Sequence, residues 1–146
     1  MKELFSIYIL SMKKIDIACI IDDDPVFVFG AQRMMEITSF CKSIMVFPNG
    51  QEAINALEPL MTSNSDNIPD VILLDLNMPI MDGWSFLDAF LEIPSEKNVT
   101  IYIITSSIDP ADTEKAKLYE GNLRNYLIKP ISKAKLESIL TDMQNI

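Results

Sequence analysis

The sequence predicts an α/β fold in which helices cover one open sheet of parallel strands. The chain has 146 residues, 49% of them hydrophobic, which suits one domain with a sizeable core and is too short for two. Five short apolar runs alternate with segments of helical period, as βαβ units require. Four of these runs end in Asp22, Asp75, Thr105 and Lys129, and open α/β sheets bind ligands outside the carboxyl ends of their strands.

Apolar and β-branched runs define the expected strands. They are expected at 15–21, 44–47, 71–75, 99–105 and about 124–128. The run before Asp75 is apolar at successive positions, as in a strand that is buried on both faces of a parallel sheet. The fourth run is rich in β-branched residues, which favour strands.

A helix is expected after each strand, because a capping residue, a glycine or a proline follows each run. The expected starts are Asp24-Pro25, Asn49-Gly50, Asp82-Gly83 and Asp109-Pro110, and the last helix is expected after Pro130. The expected ends lie near Ser39, Pro59, Pro94 and Glu120. The last helix carries apolar residues at spacings of three and four, as docking on a sheet requires. Asp24 is interpreted as a helix cap.

Composition excludes several classes of function. Twelve basic and 21 acidic residues give a net charge of −9, which repels nucleic acid and anionic lipid. The chain has no histidine and no CxxC pair, so zinc sites, disulfide frameworks and histidine-dependent nucleophilic catalysis are not expected. Cys19 and Cys41 are expected to be reduced thiols of a cytoplasmic protein. Any phosphohistidine donor must be another protein.

The domain is expected at 14–146, preceded by an N-terminal extension at 1–13. The apolar stretch 4–10 is far shorter than the roughly 20 residues that cross a bilayer, and no signal-peptide cleavage site follows it. The role of residues 1–11 stays open between an alternative start, a flexible arm and a partner-contacting segment.

Acidic residues are expected to meet at the carboxyl edge of the sheet. If the first and third strands are neighbours, Asp22, Asp23 and Asp75 converge, and carboxylates about 5 Å apart repel by roughly 3 kcal/mol at an effective dielectric of 20. Mg²⁺ would offset this repulsion, because it takes oxygen ligands from carboxylates and phosphates. Asp75 is then a candidate nucleophile, with Lys129 and Thr105 as partners of the phosphoryl oxygens.

Each of these residues also has a simpler interpretation. Asp22 and Asp23 could be solvated loop residues, and Asp75 a turn former. Thr105 could be an ordinary strand residue and Lys129 a surface lysine. Their joint occurrence at the ends of successive strands makes coincidence a poor explanation.

Four motifs together resemble the receiver domain of response regulators in two-component signal transduction. They are IIDDDP at 20–25, DLNMPIMDG at 75–83, ITS at 104–106 and YLIKP at 126–130. The resemblance covers about 14–146. It implies a flavodoxin-like, doubly wound sheet of five parallel strands in the order 2-1-3-4-5, with helices on both faces.

The resemblance also implies the metal site and the acceptor. Asp75 is the phosphoacceptor, and Asp22 and Asp23 form the acidic pair at the metal. Asp75 itself and the backbone carbonyl of Asn77 complete the protein ligands. The implied cofactor is Mg²⁺, with Mn²⁺ as a substitute. Asn77 and Ser107 occupy positions at which relatives tune the rate of dephosphorylation.

Further implied roles concern the output. Thr105 and Lys129 contact the phosphoryl group, and the Lys129-Pro130 bond is cis in relatives. Thr105 and Tyr126 form a switch that alters the surface of the fourth helix, fifth strand and fifth helix. The chain would act as a stand-alone phosphoacceptor signalling domain, with at most intrinsic self-phosphorylation and autodephosphorylation.

The resemblance implies protein partners. The donor would be a histidine kinase or a histidine phosphotransfer protein, and the output an unknown downstream protein. Pairing of two copies through the switch surface stays open. No direct contact with nucleic acid or membrane is expected.

Three alternative functions stand beside this interpretation. A scaffold receiver would work without phosphorylation. A phosphatase of the haloacid dehalogenase type would need Asp-x-Asp-x-Thr or Val, whereas Pro25 follows Asp24 directly. A flavodoxin-like electron carrier would need a loop that cradles a flavin phosphate, which three aspartates would repel.

Overall fold

The computed structural model of the chain describes residues 15–106 and 109–144 and contains five strands, each followed by a helix. The strands are β1 (Ile15–Ile21), β2 (Cys41–Phe47), β3 (Val71–Asp75), β4 (Thr100–Thr105) and β5 (Leu123–Ile128). The helices are α1 (Pro25–Ile37), α2 (Gly50–Thr62), α3 (Gly83–Leu91), α4 (Pro110–Ala116) and α5 (Lys133–Gln144), and a 3₁₀ turn at Lys117–Tyr119 extends α4. The expected extension at 1–13 and the residue Ser107 lie outside the described residues.

All strand pairs are parallel, and their order is β2-β1-β3-β4-β5, which confirms the predicted topology. The register aligns Ile21 of β1 with Leu74 of β3, and Thr105 of β4 with Ile128 of β5. The residues that follow these positions therefore reach the same edge of the sheet. The fold brings the predicted site residues together through this register.

Two apolar cores lie on opposite faces of the sheet. One core packs α2 and α3 against the sheet through Leu57, Phe86 and Leu87, among others. The other packs α1 and α5 through residues that include Met35 and Leu136. Every residue of β3 is buried, as the central strand of a sheet with two covered faces requires.

The prediction that Pro59 ends the second helix is wrong, because α2 continues to Thr62. Proline leaves the carbonyl four residues before it without its helical donor. Here Asn55 and Pro59 are both exposed, so water can hydrate that carbonyl. The second strand also begins three residues earlier than expected, because Cys41 already pairs with Ile15.

The fourth helix is shorter than expected. Its α-helical part ends at Ala116 and passes into the 3₁₀ turn, whereas the sequence predicted a helix to about Glu120.

In the part of the chain that the structure describes, none of the helices has the length and apolar character that a bilayer crossing needs. Cys19 and Cys41 are both free thiols.

Candidate functional site

Four predicted site residues meet at the carboxyl edge of the sheet. Asp75 and Thr105 are the last residues of β3 and β4, and Asp22 and Lys129 directly follow β1 and β5. Asp22, Asp75 and Thr105 are buried, with 3%, 7% and 5% of their surface exposed. Buried polar side chains are expensive unless they are paired, so this cluster needs compensation.

The start of α1 fixes the Asp22 carboxylate. The backbone N–H of Asp24 donates to Oδ1 of Asp22 at 2.9 Å. The Asp24 carboxylate in turn accepts from the N–H groups of Val26 and Phe27, at 3.0 and 3.3 Å. Asp24 is therefore the N-cap of α1, which confirms that prediction.

Gly83 allows α3 to begin against the end of β3. A Cβ atom at this position would lie 2.5 Å from the backbone oxygen of Asp75 and 2.9 Å from Cα of Leu76. The N–H of Gly83 donates to the carbonyl of Leu76 at 3.0 Å. Only glycine permits this approach, so Gly83 helps to hold the backbone of Asp75.

Lys129 brings a positive charge between two buried carboxylates. Its Nζ lies 2.7 Å from Oδ2 of Asp22 and 3.9 Å from Oδ2 of Asp75. The same ammonium lies 4.4 Å from the centroid of the Phe27 ring. The backbone N–H of Lys129 donates to the carbonyl of Thr105 at 2.8 Å, and the Lys129-Pro130 peptide bond is cis.

The site raises the pKa of both buried carboxyl groups. Burial and then the neighbouring charge of Asp22 raise the pKa of Asp75 from 3.8 to about 6, while Lys129 and the N–H of Asn77 oppose the rise. Burial also raises the pKa of Asp22, and its contacts with Lys129 and Asp24 partly offset this. One ammonium is thus insufficient to neutralise this set of acids.

The acidic residues fit a divalent cation. Carboxylate oxygens of Asp22, Asp23 and Asp75 lie within 4.8 Å of one another, and Asp23 is exposed. Among the described residues, none makes a well-aligned hydrogen bond to the buried Oδ2 of Asp22, although Nζ of Lys129 lies beside it as an ion pair. Hard oxygen donors with excess negative charge are the ligands that Mg²⁺ prefers.

We expect the substitution Asp75→Asn to stabilise the metal-free protein at neutral pH. Between about pH 4 and pH 6 the folded protein keeps a proton on Asp75 that the unfolded chain has released, because the pKa is raised to about 6 in the fold. The free energy of unfolding of the wild type therefore falls as pH rises through this window, by up to about 3 kcal/mol.

Urea denaturation in the presence of EDTA measures this effect. At about pH 7 the variant should be more stable than the wild type, and near pH 4 the difference should vanish. A stability difference that does not change between these pH values would contradict the raised pKa of Asp75 in the folded protein.

Contacts of Asp112 join α4 to α3 and β5. The indole Nε1 of Trp84 donates to Oδ1 of Asp112 at 3.1 Å, and the Tyr126 hydroxyl donates to the backbone carbonyl of Asp112 at 3.0 Å. The Trp84 ring stacks on Tyr119, with centroids 5.4 Å apart, and Nζ of Lys115 lies 5.3 Å from the Trp84 centroid. Burial raises the pKa of Tyr126 to about 12, so its hydroxyl keeps its proton.

The sequence predicted no role at the site for Phe27 and Asp112, and it placed Gly83 in a motif and at a helix start without a role in holding Asp75. Phe27 has the pattern of an ordinary core residue of an amphipathic helix, so no sequence signal marks its contact with Lys129. Asp112 lies on a short helix whose contacts depend on tertiary packing. Gly83 could have been found, since a glycine directly after a cap residue suggests a close backbone approach.

Comparisons with known proteins agree with this geometry. The family model described as "Response regulator receiver domain" matches residues 18–141. The sensor histidine kinase CheAY of Helicobacter pylori is 36% identical over 90 residues, which are 61% of this chain and 11% of the kinase. The whole kinase is thus far longer than the matched part.

Two solved structures show the same fold. A two-component response regulator from Cytophaga hutchinsonii aligns with a TM-score of 0.80 and 28% identity, over 92% of this chain and all of that one. The receiver domain of the sensor histidine kinase PA1611 from Pseudomonas aeruginosa, with a magnesium ion coordinated in its active site cleft, aligns with a TM-score of 0.72 and 21% identity, over 90% and 98%. The chain belongs to the response regulator receiver domain family, whose members are signalling domains rather than classical enzymes.

Proposed function

We propose that this protein is a phosphoacceptor of a two-component system, in which Asp75 receives a phosphoryl group from a phosphohistidine of another protein. The observation that carries the proposal is the convergence of Asp22, Asp23 and Asp75 within 4.8 Å, with Lys129 between the two buried carboxylates. Family membership adds that receiver domains belong to two-component signalling. Membership in this family excludes the phosphatase and electron-carrier alternatives.

In the proposed reaction, an oxygen of the ionised Asp75 carboxylate attacks the phosphorus of the donor phosphohistidine. The new O–P bond forms as the N–P bond breaks, and the leaving imidazole keeps the electron pair and takes a proton. The pKa of about 6 keeps Asp75 mostly ionised at neutral pH, as a nucleophile requires. The product is an aspartyl phosphate.

Asp22, Asp23, Asp75 and the carbonyl of Asn77 would hold Mg²⁺, and Mn²⁺ would substitute. The PA1611 receiver domain, which has magnesium in its cleft, supports this proposal. When bound, the ion would orient the phosphoryl oxygens and offset their negative charge. Lys129 would pair with one of these oxygens.

Thr105 would donate a hydrogen bond to the phosphoryl group. It is 5% exposed at the end of β4, which lies next in the sheet to β5, the strand that Lys129 directly follows. Asn77 is exposed on the loop that leaves β3, so its side chain can influence hydrolysis of the phosphoryl group.

The donor would contact an apolar rim on the segments that follow β1 and β3. Val26 and Phe29 of α1 are 80% and 67% exposed, and Ile80 is 84% exposed. Ile80 also has a φ of 70°, which is costly for a β-branched residue and brings no burial in return. A contact with a histidine kinase or a histidine phosphotransfer protein would account for both the exposure of these apolar side chains and the unfavourable backbone of Ile80.

Phosphorylation would be reported through Thr105 and Tyr126 to the surface of α4, β5 and α5. The hydrogen bond from Tyr126 to the carbonyl of Asp112 links this tyrosine directly to α4. An inward movement of Tyr126 would break that bond and release α4. The altered surface would bind the downstream protein or a second copy of the chain.

Trp84 offers a direct measurement of this movement, because it is the one tryptophan in the sequence and its indole binds Asp112 of α4. Its side chain is 6% exposed. We expect its fluorescence emission to shift to the red on phosphorylation, as the release of α4 admits water. Asp75→Asn, treated identically, should show no shift, and an unchanged wild-type spectrum after complete phosphorylation would contradict the proposed switch.

The proposal is tested by incubating the protein with acetyl phosphate and Mg²⁺ and measuring its intact mass. One added phosphoryl group is expected. A wild-type protein that stays unmodified with acetyl phosphate and with candidate kinases would favour the scaffold alternative.

We place the protein in the cytoplasm, which suits its two free thiols.

A further inference from the structure

Four residues of the site form a closed ring of contacts. Asp24 donates through its N–H to Asp22 at 2.9 Å and accepts from the N–H of Phe27 at 3.3 Å. The Phe27 ring lies 4.4 Å from Nζ of Lys129, which returns to Asp22 at 2.7 Å. The start of α1 is thereby tied to the residue that follows β5.

The Phe27 ring is itself held in place by the core. Phe27 is 9% exposed and belongs to the cluster that includes Ile20, Ile104 and Ile131. The Lys129 side chain is 13% exposed, so its ammonium has lost most of its water. The attraction between a cation and the face of an aromatic ring is strongest where both groups are desolvated.

We propose that Phe27 is a positioning residue, which acts through its ring face to fix the Lys129 ammonium between Asp22 and Asp75. A lysine has a flexible four-carbon stem and a charge that two carboxylates attract at once. The ring supplies a third attachment on the side of α1. This keeps Nζ against Asp22 and 3.9 Å from Asp75, where a phosphoryl oxygen would need a partner.

The inference rests on the proposed function, because positioning matters for the transfer of a phosphoryl group to Asp75. Phe27 would not contact the donor. Its loss should therefore lower the maximal rate of phosphorylation and leave the acetyl phosphate concentration at half-maximal rate nearly unchanged.

Fluorinated phenylalanine at position 27 separates the electronic role from packing. One, two or three ring fluorines weaken the negative potential of the ring face stepwise, while the size of the side chain changes little. We expect the maximal rate, followed by intact mass, to fall with each fluorine, to about a tenth with three. Equal rates across the series would overturn the inference.

Substitutions with the standard amino acids provide a second test. Phe27→Leu keeps an apolar side chain but removes the ring, and should lower the maximal rate about tenfold. Phe40→Leu is the matched control, because Phe40 is 1% exposed in the same core cluster and, within the described part of the chain, the ring over which Nζ of Lys129 lies is that of Phe27. Equal losses in both variants would assign Phe27 a packing role only.

Nuclear magnetic resonance tests the contact independently of phosphorylation. Protons on the ε-carbon of Lys129 should resonate upfield in the wild type, because they lie near the ring face, and should lose this shift in Phe27→Leu. A wild type that accepts no phosphoryl group would refute the proposed function. Identical Lys129 resonances in the two proteins would refute the Phe27 contact itself.

Discussion

Asp75→Asn is expected to abolish phosphorylation by acetyl phosphate and Mg²⁺, whereas the wild type gains one phosphoryl group in the same incubation. The amide lacks the negative oxygen that would attack phosphorus, and no neighbouring group can replace it at the same place. Asp22 is held by the N–H of Asp24 and by Lys129. Asp23 is exposed to water. Intact mass measures the loss directly.

The matched control is Asp66→Asn, which makes the same chemical change on an exposed residue of the loop before β3. This variant should be phosphorylated like the wild type. Urea denaturation must show that Asp75→Asn is folded, and the raised pKa of Asp75 leads us to expect a gain in its stability. A folded Asp75→Asn protein that still gains one phosphoryl group would show that another residue is the acceptor.

Asp22→Asn is expected to weaken binding of divalent metal by at least about a hundredfold. Loss of a residue that only supports a metal ligand typically lowers the metal affinity by up to this amount, and loss of the ligand itself should lower it at least as much. Asp22 is buried and offers an oxygen without a well-aligned hydrogen bond from the described residues. An amide would carry neither the charge nor the same affinity for a hard cation. Mn²⁺ binding followed by electron paramagnetic resonance, with Mg²⁺ as competitor, measures this change.

Asp24→Asn is a sharp control, because it changes a carboxylate only two residues away. Asn caps helices as well as Asp does, so α1 should be preserved. Metal affinity should change by no more than about threefold, as expected for an exposed charge near the site. Equal losses in Asp22→Asn and Asp24→Asn would indicate that general negative charge binds the metal, and would contradict the assignment of Asp22 as a ligand.

The strand ends were predictable from the sequence, because parallel strands align their carboxyl ends at one edge. The register of the sheet brings together the residues at the ends of four apolar runs, Asp22, Asp75, Thr105 and Lys129. The role of Asp24 as a cap was also predictable, because capping is a local property of the chain. Helix-capping preferences and the pattern of apolar runs thus account for most of the site.

Features that depend on tertiary packing were not predictable. Pro59 carries a local signal for a helix end, yet α2 continues because Leu57 and Met61 on either side of it pack into the core. The contact of Phe27 with Lys129 requires α1 and the end of β5 to approach across the sheet edge. The link between Trp84 and Asp112 joins residues 28 positions apart, for which neither position carries a sequence signal.

The central claim is that the Asp75 side chain carries the phosphoryl group. Its most direct test is reduction of the phosphorylated wild type with borohydride, which converts an aspartyl phosphate into homoserine, followed by peptide mapping. We predict homoserine at position 75 and unmodified aspartate at positions 22 and 23. Homoserine at either of those positions, with intact Asp75, would contradict the account.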